Sequence, residues 1–249
     1  MEQFNPFSLK GKQILVTGAS SGIGRGIAIA CSKMGASVLI NGRNEKRLEE
    51  TLQLMEGENN KPVVADLSNL DMVKNMVSEL PMLDGIVHCA GIGQRVLCRQ
   101  LQKQDVDEMI DVNFKAPVLL QTEILKQKKV NKSASIVFIA SIAADSPTIG
   151  NSMYCASKGA IISYAKCLSI ELAPRLIRVN CISPAMVWTD LIFKGGITEE
   201  QLREDEKKYP LKRYGTPEDI ANLSIYLLSD ASSWMTGSNV KLTGGVNKL

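Results

Sequence analysis

The sequence predicts an α/β protein, a doubly wound parallel sheet covered by helices on both faces. Short apolar runs of strand length alternate with longer segments of helical periodicity from residue 13 to residue 242. One run, Ala134 to Ala140, is almost continuously apolar, as a strand buried on both faces requires. The first strand-to-helix turn carries Gly18, Gly22 and Gly24. The chain has 249 residues, 45% hydrophobic and 22% charged, enough for one large core, so a single domain over 1–249 is expected.

Taken in order, Ile14, Leu15 and Val16 make the first strand, and Ile23, Ile27, Ala30, Cys31 and Met34 recur behind it at helical spacing. Between them the glycines, with Ser20 and Ser21, leave bare backbone through which a bulky anion reaches the unpaired N–H groups and positive end of the helix. The spacing Gly-x3-Gly-x-Gly is read as a dinucleotide pyrophosphate site. Ala36 to Ile40 is the second strand, closed by Asn41-Gly42 and followed by Arg43. A carboxylate at this strand end would accept from both ribose hydroxyls, whereas an arginine pairs with a 2′-phosphate. No Asp or Glu lies between Val38 and Asn44, so NADP(H) is expected over NAD.

A helix from Asn44 to Met55 leads to a third strand, Pro62 to Ala65, and then to Asp66, whose carboxylate is expected to accept from the adenine amino group. Ser68 is expected to cap a helix running to Leu80. The fourth strand, Gly85 to Cys89, ends in Ala90-Gly91, small enough for backbone to lie against the cofactor. Asp105 to Lys126 reads as one long helix with Asn113 as a polar interruption. The fifth strand, Ala134 to Ala140, ends at Ser141. The helix from Asn151 to Leu172 carries Tyr154 and Lys158 one turn apart on one face. Ile177 to Ile182 is the sixth strand, ending in Ser183-Pro184. Residues 185–213, charge-rich with scattered Met186, Trp188, Leu191 and Phe193, read as an irregular lid. Thr216-Pro217-Glu218-Asp219 opens a last helix to Leu228, and Asn239 to Leu242 is the seventh strand.

The totals exclude several classes. A net charge of +3 without clustering argues against nucleic acid, and Lys126, Lys128, Lys129 and Lys132 read as a solvated helix end. The six cysteines show no metal-ligand spacing and suit a reducing compartment. No apolar run approaches the roughly 20 residues that span a bilayer, and no leader-like stretch opens the chain, so a cytoplasmic protein without membrane contact is expected. His88 is the single histidine, which removes most hydrolase and metal-centre readings. No metal is expected.

Asn113, Ser141, Tyr154 and Lys158 can converge outside the carboxyl ends of the strands, where such sheets bind ligands. Tyrosine has a reference pKa of about 10, and the Lys158 ammonium with an oxidised nicotinamide is expected to lower it. Tyr154 would then exchange a proton with a substrate oxygen held by Ser141, while Asn113 positions a water linking Lys158 to solvent. Gln94, Val96, Met153, Met186, Trp188 and Phe193 are expected to form an apolar-leaning substrate pocket.

On Thr17-Gly18-Ala19-Ser20-Ser21-Gly22-Ile23-Gly24, Asp66-Leu67, Ala90-Gly91, Asn113, Ser141, Tyr154-Cys155-Ala156-Ser157-Lys158 and Ser183-Pro184, the chain resembles the short-chain dehydrogenase/reductase family over about residues 9 to 246. The resemblance implies a Rossmann-type sheet of order 3-2-1-4-5-6-7 and a catalytic tetrad of Asn113, Ser141, Tyr154 and Lys158. It also implies cofactor contacts from Leu67, Pro184, Val187 and Thr189, and a homotetramer or dimer formed through the two long helices. The pattern is closest to 3-oxoacyl-(acyl-carrier-protein) reductases. An NADP(H)-dependent interconversion of a ketone and a secondary alcohol is therefore expected, on an acyl thioester or on a sugar, polyol, steroid or other small ketone. A nucleotide-binding regulatory protein without turnover is the alternative. An acidic carrier protein would need a basic rim, to which Lys132 or Arg175 could contribute. The chain makes three departures from the family pattern: His88-Cys89 for Asn-Asn, Ala185 for Gly, and Thr243 for an acidic residue.

Overall fold

The computed structural model describes residues 4–195 and 197–246. The ends of the expected domain, 1–3 and 247–249, and Gly196 of the expected lid lie outside the described residues.

Seven strands, β1 (Gln13–Thr17), β2 (Ser37–Gly42), β3 (Lys61–Val64), β4 (Leu83–His88), β5 (Val130–Ile139), β6 (Arg178–Pro184) and β7 (Asn239–Leu242), form one parallel sheet of order 3-2-1-4-5-6-7. Successive side chains of β1 go to opposite faces: Leu15 joins one core, Ile14 and Val16 the other. The first core is completed by α3 (Leu70–Glu79), α5 (Ala116–Lys126) and α6 (Ser152–Leu172), the second by α1 (Gly22–Lys33), α2 (Glu45–Leu52) and α8 (Pro217–Leu228). The strand order reverses between β1 and β4, and there the crossovers leave to opposite sides and open a crevice. No helix among the described residues is long and apolar enough to cross a membrane.

Four local expectations need correction. Asn69, not Ser68, caps α3: its side chain accepts from the amides of Asp71 and Met72, while Ser68 donates its amide (2.9 Å) and hydroxyl (2.7 Å) to Asp66. The helix expected from Asp105 to Lys126 is three pieces, α4 (Lys103–Ile110), a π-helical segment Asp111–Lys115, and α5, with Asn113 on the π segment. β5 begins at Val130, because Val130 pairs with Leu83 before Ser133, at φ 65°, puts a register shift into the ladder. Residues 185–213 are not irregular: they hold a 3₁₀ stretch, Asp190–Gly195, and α7 (Glu199–Glu206), opened by a Thr198–Gln201 capping box. Buried Leu202, Tyr209 and Tyr214 give this segment a core of its own.

Candidate active site

A cleft of about 1500 Å³ runs along the carboxyl ends of the strands, floored by the turns that leave β1, β2, β3, β4, β5 and β6. Its tightest wall is the turn after β1. Gly18 has φ +66°, and a side chain there would put its Cβ 2.8 Å from the Cα of Ala90. A Cβ on Gly24 would lie 2.3 Å from the Gly18 carbonyl oxygen. The glycines thus let the β1 turn, the β4 turn and the start of α1 pack backbone on backbone. Thr17 fixes the junction, its hydroxyl accepting from the amides of Cys89 (3.0 Å) and Ala90 (3.1 Å). Arg25 ties the same turn to α2, donating to the Ser20 carbonyl (2.7 Å) and the Thr51 hydroxyl (2.9 Å).

No side chain caps the N-terminus of α1, and its first residues, Gly22, Ile23 and Gly24, line the cleft with Ser20 and Ser21. Free amides and the positive dipole end therefore face the space an anion would fill. At the far end Arg43 lines the cleft beside Asp66, whose carboxyl is held below its usual range by the two bonds from Ser68 and, to a lesser degree, by the Arg43 charge.

At the other end Ser141, just after β5, meets Tyr154 and Lys158 on α6. The Tyr154 hydroxyl stands beside Ser141, whose oxygen accepts from the Ala143 amide at 3.2 Å. Lys158 is buried, with Nζ 5.8 Å from the centre of the Tyr154 ring, and donates to the Ile139 carbonyl at 2.9 Å. Burial dominates both groups: it pushes the phenol above its ordinary pKa and the ammonium below its own. The expectation that Lys158 lowers the phenol pKa is thus reversed in the protein alone. Among the described residues the Ile139 carbonyl is the one protein acceptor of Lys158, which also lines the cleft.

Asn113 does not line the cleft. Its oxygen accepts from the Ile92 amide (2.8 Å), and its nitrogen donates to the Ile92 carbonyl (3.0 Å) and Ser157 hydroxyl (3.2 Å). The amide clamps the segment after Gly91 to α6, and the water it was expected to position would have to share that oxygen.

Residues 18–247 match the family model described as Enoyl-(Acyl carrier protein) reductase. The chain is 37% identical over 238 residues to the 3-oxoacyl-(acyl-carrier-protein) reductase of Rickettsia felis, covering 96% of this chain and 98% of the relative. It belongs to the short-chain dehydrogenase/reductase family. Within that family it is also 35% identical to the L-xylulose reductase of Caenorhabditis elegans, over 94% of this chain and 95% of that one. A solved structure described as a putative NAD(P)-dependent gluconate 5-dehydrogenase from Beutenbergia cavernae, with bound NADP, superposes with a TM-score of 0.89 at 32% identity, covering 97% and 98% of the two chains.

The departures from the family pattern are accommodated. His88 turns into the helix layer, stacks on Phe138 at 4.5 Å and pairs with Gln121 at 3.0 Å, and burial lowers its pKa to about 4, so it stays neutral. Because Thr17 holds backbone amides, the β4 turn survives the change of side chains at 88 and 89. Ala185 donates its amide to the Leu242 carbonyl at 3.0 Å without left-handed backbone, and Thr243 accepts from the Val246 amide.

The cleft of this family member takes in the predicted Leu67, Ala90, Gly91, Pro184, Val187, Thr189, Gln94 and Met186. Val96, Met153, Trp188 and Phe193 do not line it. Trp188 is spent on structure: it packs on Tyr214 and Phe193, carries the Arg203 guanidinium 4.3 Å above its ring, and donates to Glu206 at 2.9 Å. Val96 is held through its amide by the Gly150 carbonyl at 2.8 Å. Sequence reasoning missed Arg47, Arg95, Thr148, Ile149 and Ile192 as lining residues. The Thr198-x-x-Gln201 signature could have shown that the segment behind Ile192 is helical.

Proposed function

We propose that this protein is an NADP(H)-dependent oxidoreductase that interconverts a ketone and a secondary alcohol. The observation that carries the reading is the convergence of Ser141, Tyr154 and Lys158 in the same cleft as an uncapped α1 N-terminus and Arg43. NADP bound in the Beutenbergia structure supports the cofactor assignment. The residues fit the dinucleotide: the α1 amides take the pyrophosphate, Arg43 the 2′-phosphate, and Lys158 the nicotinamide ribose. NADPH, when bound, supplies the hydride that reaches the carbonyl carbon.

Ser141 hydrogen-bonds the carbonyl oxygen through its hydroxyl, keeping its own proton, and so orients the substrate. Tyr154 gives that oxygen its proton as the C–H bond forms, leaving one alcohol, and regains a proton from solvent; the reverse direction runs the same transfer backwards. Lys158 holds positive charge near the phenolate so formed. Asn113 keeps the Gly91–Ile92 backbone in place. Self-association through α5 and α6 belongs to the same reading, since they leave Leu119 and Ile170 exposed, as does work in a reducing cytoplasm, which suits the free cysteines.

The test is consumption of reduced nicotinamide by the purified protein against acetoacetyl thioesters, keto sugars and cyclic ketones, with NADH in parallel. In the same assay Arg43→Ala raises the KM for NADPH about 10- to 100-fold, the cost of one charge-assisted phosphate contact, and leaves NADH nearly unaffected. Equal losses with both cofactors would remove the 2′-phosphate role.

A further inference from the structure

We propose that Arg95 binds an anionic group of the substrate, and that the substrate is a small free oxo acid and not a carrier-borne thioester. The inference rests on the ketone-reductase reading and narrows it.

Among the described residues the basic side chains lining the cleft are Arg43, Arg47, Arg95, Lys158 and Lys208. Arg47 is paired with Asp190 at 3.3 Å, Lys208 with Asp205 at 3.0 Å, and Lys158 donates to Ile139. Arg43 stands beside Asp66 at the adenosine end. Arg95 is the cation at the substrate end, and no carboxylate among the described residues pairs with it. Its position is nonetheless built. On one side the Gln94 amide donates to Asp105 at 2.7 Å, and on the other the Val96 amide donates to the Gly150 carbonyl. The segment bearing Arg95 is thereby pinned through the Val96 backbone to the loop that leads into α6 and Tyr154, and through the Gln94 side chain to α4. A guanidinium fixed at its root and left without a partner is preorganised for a carboxylate, which it can take through two parallel N–H donors. Ile149, Leu191 and Ile192 line the same cleft and supply apolar surface to it.

The rim argues against a carrier protein. Lys132 and Arg175, expected to serve one, sit at the opposite end of the sheet: Lys132 lies in the entering residues of β5, and Arg175 donates to the carbonyl of Val130, its first residue. At the mouth itself stands α7, whose Glu204 and Asp205 are paired with Lys207 and Lys208, so among the described residues this rim offers no unpaired basic patch to an acidic carrier surface.

The test measures kcat and KM with NADPH for pyruvate, acetoacetate, levulinate and 5-oxohexanoate, each beside its methyl ester, and for the acetoacetyl thioester of N-acetylcysteamine. The best acid is expected to exceed its ester in kcat/KM by about 10- to 100-fold, the worth of one charge-assisted pair. Arg95→Gln removes that advantage through KM with kcat nearly kept, and Arg95→Lys restores part of it. Acid and ester reduced equally by the parent protein, or an Arg95→Gln loss shared by acid and ester, overturns the role of Arg95 while the reductase reading stands. Thioester turnover far above every acid overturns the substrate class. NADPH binding with no reduction of any of these ketones overturns both readings.

Discussion

Tyr154→Phe lowers kcat for ketone reduction by about 10²- to 10⁴-fold, the usual worth of a positioned general acid. NADPH affinity stays within about twofold in this variant, since the lost hydroxyl faces Ser141 and not the cofactor turn. Stopped-flow turnover beside a fluorescence titration of the cofactor separates the two effects. Retained turnover would remove Tyr154 from the chemistry and bring forward the regulatory alternative. The pH dependence follows from the direction of the shift. Reduction needs the protonated phenol, which the raised pKa preserves through neutral pH and which is lost only as pH rises through that value. Oxidation needs the phenolate, so it gains with pH into the alkaline range. In Tyr154→Phe the alkaline rise disappears; a parent profile that is flat while chemistry limits the rate would sink the assignment.

Gly24→Ala strikes the other half of the site. The added Cβ would stand 2.3 Å from the Gly18 carbonyl oxygen and 2.7 Å from its carbon, and both are backbone, so no side chain can swing aside. The turn must open or α1 must move back from β1. Overpacking of this kind costs about 1–3 kcal/mol, and if it falls on the cofactor-binding conformation NADPH affinity drops about 10- to 100-fold. Calorimetry of NADPH binding and the thermal midpoint read the two components: both are expected to fall. Unchanged binding would mean that the α1 N-terminus does not hold the pyrophosphate. Gly159 is the control, since a Cβ there meets nothing within 4 Å.

Much of this was legible because local chemistry decided it. The β1 glycines, the strand and helix alternation, and the one-turn spacing of Tyr154 and Lys158 each announce themselves without tertiary knowledge. The site residues that misled are those whose partners lie far along the chain. Trp188 looked like a substrate wall because nothing nearby in sequence shows that Tyr214 and Arg203 will enclose it. Lys132 and Arg175 looked like a rim because charge alone does not say which end of a strand it occupies, although strand direction would have placed both at the entering end. The phenol shift ran against expectation because burial outweighs a cation that donates to a carbonyl instead. The π segment was hidden, since apolar periodicity runs through it with Met109, Ile110 and Phe114 and only the backbone reveals the wider turn.

That wider turn limits how the gene can change. A π turn holds one residue more than the α-helix it interrupts. Removing that extra residue would restore regular helix and leave the residues downstream on the faces they hold now. Leu120, Gln121 and Ile124 would go on facing the core from α5, but Asn113 is set towards Ile92 by the π segment itself, and its clamp would be lost. Descendants of this chain can therefore lose a residue here without rebuilding α5, and the cost falls on the turn that borders the cleft.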